Sequence, residues 1–191
     1  VFRYEKDSKE FLFDKLNLQI HGGESTAVMG RSGSGKTTLM KMLVGLYKPE
    51  KGKITIDGIN INTLNLEYLR DTVNYINQTT KMFDDTVIYN MKYGNEANEK
   101  DIISKLKKYK LDEVFNDLPD GVNGKAGLHG GNLSGGMQKV TILMRGLLKK
   151  GKIVIIDEPL AGLDQETINK VIRFIINETT GKTLIVITHD K

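Results

Sequence analysis

The chain of 191 residues contains no cysteine, no tryptophan and only three prolines. Without cysteine it can form neither a disulfide nor a thiolate metal site, and its composition suits a reducing compartment. Long apolar runs are missing as well. The longest, residues 153–156 and 184–187, have the length of core strands and fall far short of the ~20 residues that cross a bilayer. Nor does charge of one sign dominate: 28 Lys and Arg stand against 24 Asp and Glu, giving a net charge of +4. The densest basic patch, Lys105, Lys107, Lys108 and Lys110, reads as a solvated helix face rather than a nucleic-acid or anionic-lipid site. Val1 and Phe2 read as the interior of a strand, and Lys191 closely follows an apolar run, so the chain is expected to be a piece of something longer.

What the sequence has in quantity is glycine, 20 residues of it, and its placement is informative. Gly30-Arg31-Ser32-Gly33-Ser34-Gly35-Lys36-Thr37-Thr38 follows the apolar run Thr26-Ala27-Val28-Met29 and precedes a helical pattern. The spacing Gly-x4-Gly-Lys-Thr between strand and helix is that of a phosphate-binding loop. Gly30, Gly33 and Gly35 let the backbone turn tightly and aim its N–H groups at a polyphosphate. The helix starting near Lys36 adds the positive end of its dipole. Lys36 is placed to reach β- and γ-phosphates, and the Thr37 hydroxyl to bind Mg²⁺. The chain is therefore expected to bind a nucleoside triphosphate, ATP in the reading developed below.

Hydrophobic periodicity changes several times along the chain. Residues 1–29 and 53–61 read as short strands, with turns at His21-Gly22-Gly23 and Asp57-Gly58. Leu39, Met42, Leu43 and Leu46 follow helical spacing after the phosphate loop. Residues from about 80 to 150 look mostly helical, with stripes at Ile102, Ile103 and Leu106, at Leu111, Val114, Phe115 and Leu118, and at Val140, Leu143, Met144 and Leu147. A buried strand 153–156, a helix bearing Ile168, Val171, Ile172 and Ile175, and a last strand 183–188 complete the pattern. Uninterrupted apolar strands alternating with helices imply a parallel sheet covered on both faces. The expected fold class is α/β: a P-loop NTPase core with a mostly parallel sheet, an N-terminal antiparallel β subdomain and an inserted helical subdomain. Approximate bounds are 1–79 and 151–191 for the core and 80–150 for the helical part.

Ile153-Val154-Ile155-Ile156-Asp157-Glu158 places two carboxylates at the C-terminal end of a buried strand, the edge where parallel sheets bind ligands. Asp157 is the expected Mg²⁺ anchor, and Glu158 the group that orients or deprotonates the attacking water. Gln78 and His189 also follow apolar strands and are delivered to the same edge. There Gln78 would contact Mg²⁺ or the water, and His189 would hold the γ-phosphate or orient Glu158. Leu133-Ser134-Gly135-Gly136 forms a second anion-binding motif, with Ser134 placed to N-cap a helix over 135–149. One γ-phosphate does not need two helix N-termini from the same chain, so the second is expected to serve the nucleotide of a partner.

Taken in order, these residues resemble an ATP-binding cassette, the nucleotide-binding domain of ABC transporters. The matching positions are Tyr4, the loop 30–38, Gln78, the signature Leu133-Ser134-Gly135-Gly136-Met137, the strand ending in Asp157-Glu158, Leu163-Asp164 and His189. The resemblance implies that Tyr4 stacks on adenine and that Asp164 crosses a dimer interface. It also implies that Ser134, Gly135, Gly136 and Met137 complete the opposite ATP site, so that two ATP molecules lie between two head-to-tail cassettes. Leu69-Arg70, Met82-Phe83-Asp84-Asp85-Thr86, Asn90, Tyr93-Gly94 and Leu118-Pro119-Asp120-Gly121 resemble exporter half-transporters. That subtype implies membrane helices N-terminal to the cassette in the same polypeptide, and a location on the ATP-containing, cytoplasmic face of a membrane.

The sequence also departs from the family. Met137 stands where the signature usually has Gln, and Lys139 and Val140 where exporters commonly have Gln and Arg. Gly127-Leu128-His129-Gly130 replaces a Gly-Glu-Arg-Gly element that usually faces the membrane domain. The competing readings are a soluble ABC-type ATPase acting on nucleic acid or ribosomes, which typically carries tandem cassettes or coiled-coil insertions, and a binding-only regulatory cassette. The intact set Lys36, Asp157, Glu158 and His189 argues against the latter.

Overall fold

The structure is a computed structural model that describes residues 1–5, 10–77 and 79–188. These divide into two compact units, the first made of 1–75, 151–157 and 182–191, the second of 76–150 and 158–181. The bounds expected from the sequence place 151–191 in the core as one piece, whereas 158–181 groups with the helical unit.

In the first unit, strand β1 (Ser25–Met29) runs into the phosphate loop and helix α1 (Lys36–Leu43). A two-residue hairpin follows, β2 (Thr55–Ile56) with β3 (Ile59–Asn60), turning at Asp57-Gly58 as the sequence predicts. Helix α2 (Leu66–Thr72), capped by the Asn65 side chain, leads into β4 (Val73–Ile76). The second unit contains α3 (Val87–Lys92), α4 (Glu99–Lys108) and α5 (Gly135–Leu147), with short 3₁₀ turns between α4 and α5. Strand β5 (Ile153–Asp157), helix α6 (Gln165–Glu178) and strand β6 (Thr183–Thr188) end the described chain.

The main sheet has the order β1-β6-β5-β4, and both β1–β6 and β5–β6 are parallel, as the apolar runs imply. Register pairs Met29 with Thr188 and Asp157 with Ile187. The last residue before the phosphate loop and the carboxylate of β5 thus reach the same edge of the sheet. Met40, Ile61, Leu69, Val73, Ile155, Ile185 and Ile187 form the core of this unit, α1 and α2 supplying the helical side.

The N-terminal β structure is slighter than the sequence predicts. Within 1–24 the described residues form one antiparallel bridge, Phe2 with Phe13, closed by two backbone hydrogen bonds of 2.9 and 3.1 Å. Leu16 and Leu18 continue an alternating pattern but are exposed and face no opposing strand among the described residues. The stripe Leu111, Val114, Phe115, Leu118 is not an α-helix either. Lys110 adopts φ 57°, the left-handed conformation that closes helices, so the chain leaves α4 and re-forms only a 3₁₀ turn, Asp112–Phe115. Leu111, Phe115 and Leu118 are buried nonetheless. Of the basic patch, Lys105 is bonded to both carboxylate oxygens of Glu178 at 2.7 Å, and Lys108 lies over the Tyr109 ring.

Helix α5 was expected to bury one stripe, yet every residue from Val140 to Leu147 is buried. Helices α3 and α6 and a 3₁₀ turn cover it on several sides. Its tightest approach is at Gly146, where a Cβ would lie 2.4 Å from Cγ1 and 2.5 Å from Cδ1 of buried Ile76. Alanine at 146 would gain ~1 kcal/mol of helix propensity but incur an overpacking cost of about 1–3 kcal/mol. We expect Gly146→Ala to lower the melting temperature of the isolated chain by a few degrees. In an Ile76→Ala background the same substitution should become neutral or stabilising; equal destabilisation in both backgrounds would remove close packing as the cause.

Candidate nucleotide site

The phosphate loop forms because β1 ends at an edge from which the chain must reverse into α1. Gly33 and Gly35 take φ 76° and 91°, conformations that a Cβ would strain. Gly35 has a second reason to be glycine, since a Cβ there would come within 2.8 Å of the Phe13 ring. Gly30, Arg31, Ser32, Gly33 and Ser34 are exposed, while Gly35, Lys36 and Thr37 are half-buried. No side chain caps α1, so its first N–H groups present the positive end of the helix to the loop. Lys36 folds back across the loop, and its Nζ donates to the carbonyls of Gly30 at 2.7 Å and Arg31 at 3.0 Å.

Thr37 joins this loop to β5. Its hydroxyl donates to Oδ2 of Asp157 at 2.9 Å, and the same oxygen accepts from the Tyr75 hydroxyl at 3.2 Å. Asp157 is only 7% exposed, so a carboxylate here depends on such donors. Burial, reinforced by the neighbouring carboxylate, pushes the Tyr75 hydroxyl well above the ordinary phenol range, and its proton stays in place at physiological pH. Tyr75 is not among the site residues expected from the sequence. The signal was its strand parity: on β4 it shares a face with the core residue Val73, while Asn74 and Ile76 lie on the other face.

Tyr4 is exposed along most of its ring, while its hydroxyl shares a hydrogen bond with the buried Thr38 hydroxyl. Phe2 and Tyr47 pack edge-on to it, with centroids 5.3 and 5.6 Å away. A cavity of about 300 Å³ opens beside the ring, lined by Arg3, Tyr4, Glu5, Glu10, Phe11 and Leu12.

In the second unit Ser134 N-caps α5, its Oγ accepting from the Met137 N–H at 3.2 Å. Ser134 and Gly135 are exposed and Gly136 half-buried, whereas the Met137 side chain is buried and so belongs to the packing of α5. Asp164 caps α6, accepting from the backbone N–H of Thr167 at 2.9 Å and from its hydroxyl at 2.6 Å. These bonds, the hydroxyl's foremost, hold its carboxyl below the usual carboxylate range. Glu158 has φ 50°, rare for a residue with a side chain, and Lys139 donates to its backbone carbonyl. Gln78 and His189 lie outside the described residues.

The donor set at Thr37 and Asp157 consists of hard oxygens, which suits Mg²⁺. Among the described residues no group of three or more His, Cys, Asp or Glu side chains could hold a metal ion. Two protein oxygens fit an ion that keeps water and phosphate oxygens as its remaining ligands. No helix among the described residues is long and apolar enough to cross a membrane.

Residues 13–161 match the family described as ABC transporter. The ATP-dependent lipid A-core flippase of Legionella pneumophila (strain Paris) is 35% identical over 190 residues, 99% of this chain and 32% of that protein. P-glycoprotein 14 of Caenorhabditis elegans is 33% identical over 189 residues, covering 98% of this chain and 14% of its own length. Among solved structures, a bacterial Atm1-family ABC exporter with ATP bound superposes with a TM-score of 0.89 at 29% identity, covering 99% of this chain and 33% of the other. The chain therefore spans about a third or less of the length of these relatives. The chain belongs to the ABC transporter family.

Proposed function

We propose that this domain powers the export of a substrate across a membrane, by binding ATP with Mg²⁺, closing on a second cassette and hydrolysing the nucleotide. The observation that carries the reading is the Thr37–Asp157 hydrogen bond, which ties the loop built for phosphates to the carboxylate built for a cation. Adenine would stack on Tyr4, whose exposed face and neighbouring cavity leave room for a ring. The backbone of 30–38 and the Lys36 ammonium would cradle the phosphates, with Lys36 exchanging the loop carbonyls for β- and γ-phosphate oxygens. Thr37 and Asp157 would hold Mg²⁺, joined by Gln78, and the ion would supply charge neutralisation at the phosphates.

In hydrolysis, Glu158 would accept a proton from water as the water oxygen attacks the γ-phosphorus and ADP leaves. His189 would steady the γ-phosphate or Glu158. The remaining stabilisation comes from a second molecule. Ser134 uses an acceptor lone pair to cap α5 and keeps its O–H to donate, so capping its own helix does not prevent it from gripping a partner's γ-phosphate. Gly135 and Gly136 add N–H groups at that helix end, and Asp164 would cross to the opposite cassette. The arrangement is head-to-tail, as a homodimer or heterodimer. Transport follows if ATP binds the closed pair better than the open one, since a ligand shifts an equilibrium only by its differential affinity. The membrane-spanning part would lie in the same polypeptide, with this domain on the cytoplasmic face, and no nucleic acid takes part.

Lys36→Ala should weaken ATP binding by about tenfold or more, about 1.4 kcal/mol, in a fluorescent-nucleotide titration. Unchanged affinity would remove Lys36 from the phosphate cradle. Glu158→Gln should retain ATP binding but lose about 100-fold in turnover, ~2.7 kcal/mol of transition-state stabilisation. Phosphate release at the wild-type rate would show that Glu158 is not the base.

A further inference from the structure

Lys139 is the fifth residue of α5, where a lysine would ordinarily run its stem along the helix and leave the ammonium in water. Here it does otherwise. Its Nζ donates to the backbone carbonyl of Glu158 at 2.8 Å and to that of Ala161 at 3.0 Å. Those two carbonyls belong to the turn that leaves β5 and leads to α6. The turn is unusual in its backbone: Glu158 has φ 50°, Pro159 follows, and Gly162 has φ 77°. A side-chain-bearing residue in the left-handed region persists only where its surroundings hold it there. A charge-assisted pair of hydrogen bonds from one ammonium is such a hold.

We infer that Lys139 is a positioning residue for hydrolysis, fixing through the carbonyls of Glu158 and Ala161 the turn from which the hydrolytic carboxylate projects. The inference rests on the reading of Glu158 as base. A general base misplaced by about 1 Å loses up to a hundredfold in rate, so the anchoring of its backbone bears directly on turnover. The same lysine sits five residues, about 7.5 Å of helix rise, beyond the Ser134 cap. Helix α5 thus carries at its tip the group proposed to grip a partner's nucleotide and, less than two turns on, the group that anchors this chain's own base. A phosphate seated at the tip would orient the helix that holds Glu158, which makes hydrolysis at one site responsive to occupancy of the other. Lysine, where exporters commonly have glutamine, brings a longer reach and a full charge to this joint.

The test uses the full-length protein, with steady-state phosphate release measured against ATP concentration and with thermal melting. Lys139→Met should lower kcat by about tenfold, ~1.4 kcal/mol, with KM for ATP within about twofold and melting within about 3 °C of wild type. Lys139→Arg, which keeps two or more donors on one head, should recover kcat to within about threefold. Wild-type kcat in Lys139→Met overturns the inference. So does a loss that tracks a lower melting temperature, or an arginine variant as slow as the methionine one. Glu158→Gln assayed alongside separates the two ideas: an inactive Glu158→Gln with a fully active Lys139→Met sinks only the role of Lys139, whereas an active Glu158→Gln sinks the assignment of the base.

Discussion

The nucleotide-binding core depends on the parallel register of β1, β6 and β5. That pairing delivers Met29, and hence the phosphate loop, to the same sheet edge as Asp157, and the Thr37–Asp157 hydrogen bond closes the gap. Two features distant in sequence, at positions 37 and 157, become one site because three strands run the same way. Parallel strands require crossover connections, and the crossovers are what supply α1 and its N-terminus. The helix end proposed to bind phosphate and the carboxylate proposed to bind Mg²⁺ are therefore products of one topological choice. Consecutive residues of β5 and β6 are buried, so both faces of these strands are apolar and packed, as parallel strands require.

Much of this was legible in the sequence, and for identifiable reasons. The phosphate loop could be read because glycine is required at defined positions, and Gly33 and Gly35 do take positive φ. Strands β5 and β6 could be read because apolar runs of four bounded by polar residues have few other uses, and β6 appears with its predicted ends. The cap at Ser134 followed from residue type and spacing, and its side chain accepts a backbone N–H group as caps do; the cap at Asp164 is added by the structure.

The rest depended on tertiary packing that periodicity does not encode. Short strands were expected along the N-terminal stretch, but an apolar pattern does not supply a partner, and within 1–24 only Phe2 and Phe13 pair among the described residues. The stripe ending at Leu118 has helical spacing, yet a single left-handed residue, Lys110, divides it from α4 without any glycine to announce the break. Met137 looked like part of a shared surface from its place in the signature; the helix turns its side chain inward. Tyr75 and Lys139 were not read as site residues, and their partners, a carboxylate and two carbonyls, lie 82, 19 and 22 positions away.

Arg145 has a consequence for whatever meets the second unit. Its buried guanidinium bonds to neutral acceptors: the Asn90 carbonyl and side-chain oxygen, each at 2.6 Å, the Lys81 carbonyl and the Met82 sulfur. It also lies beneath the rings of Phe83 and Tyr93, which together with Tyr89 are partly exposed on their outer side. A cation on the inner face drains the electron density that would otherwise attract a second cation from outside. The aromatic patch is therefore polarised against lysine and arginine, and the surface favours an apolar or electron-rich visitor over a basic one.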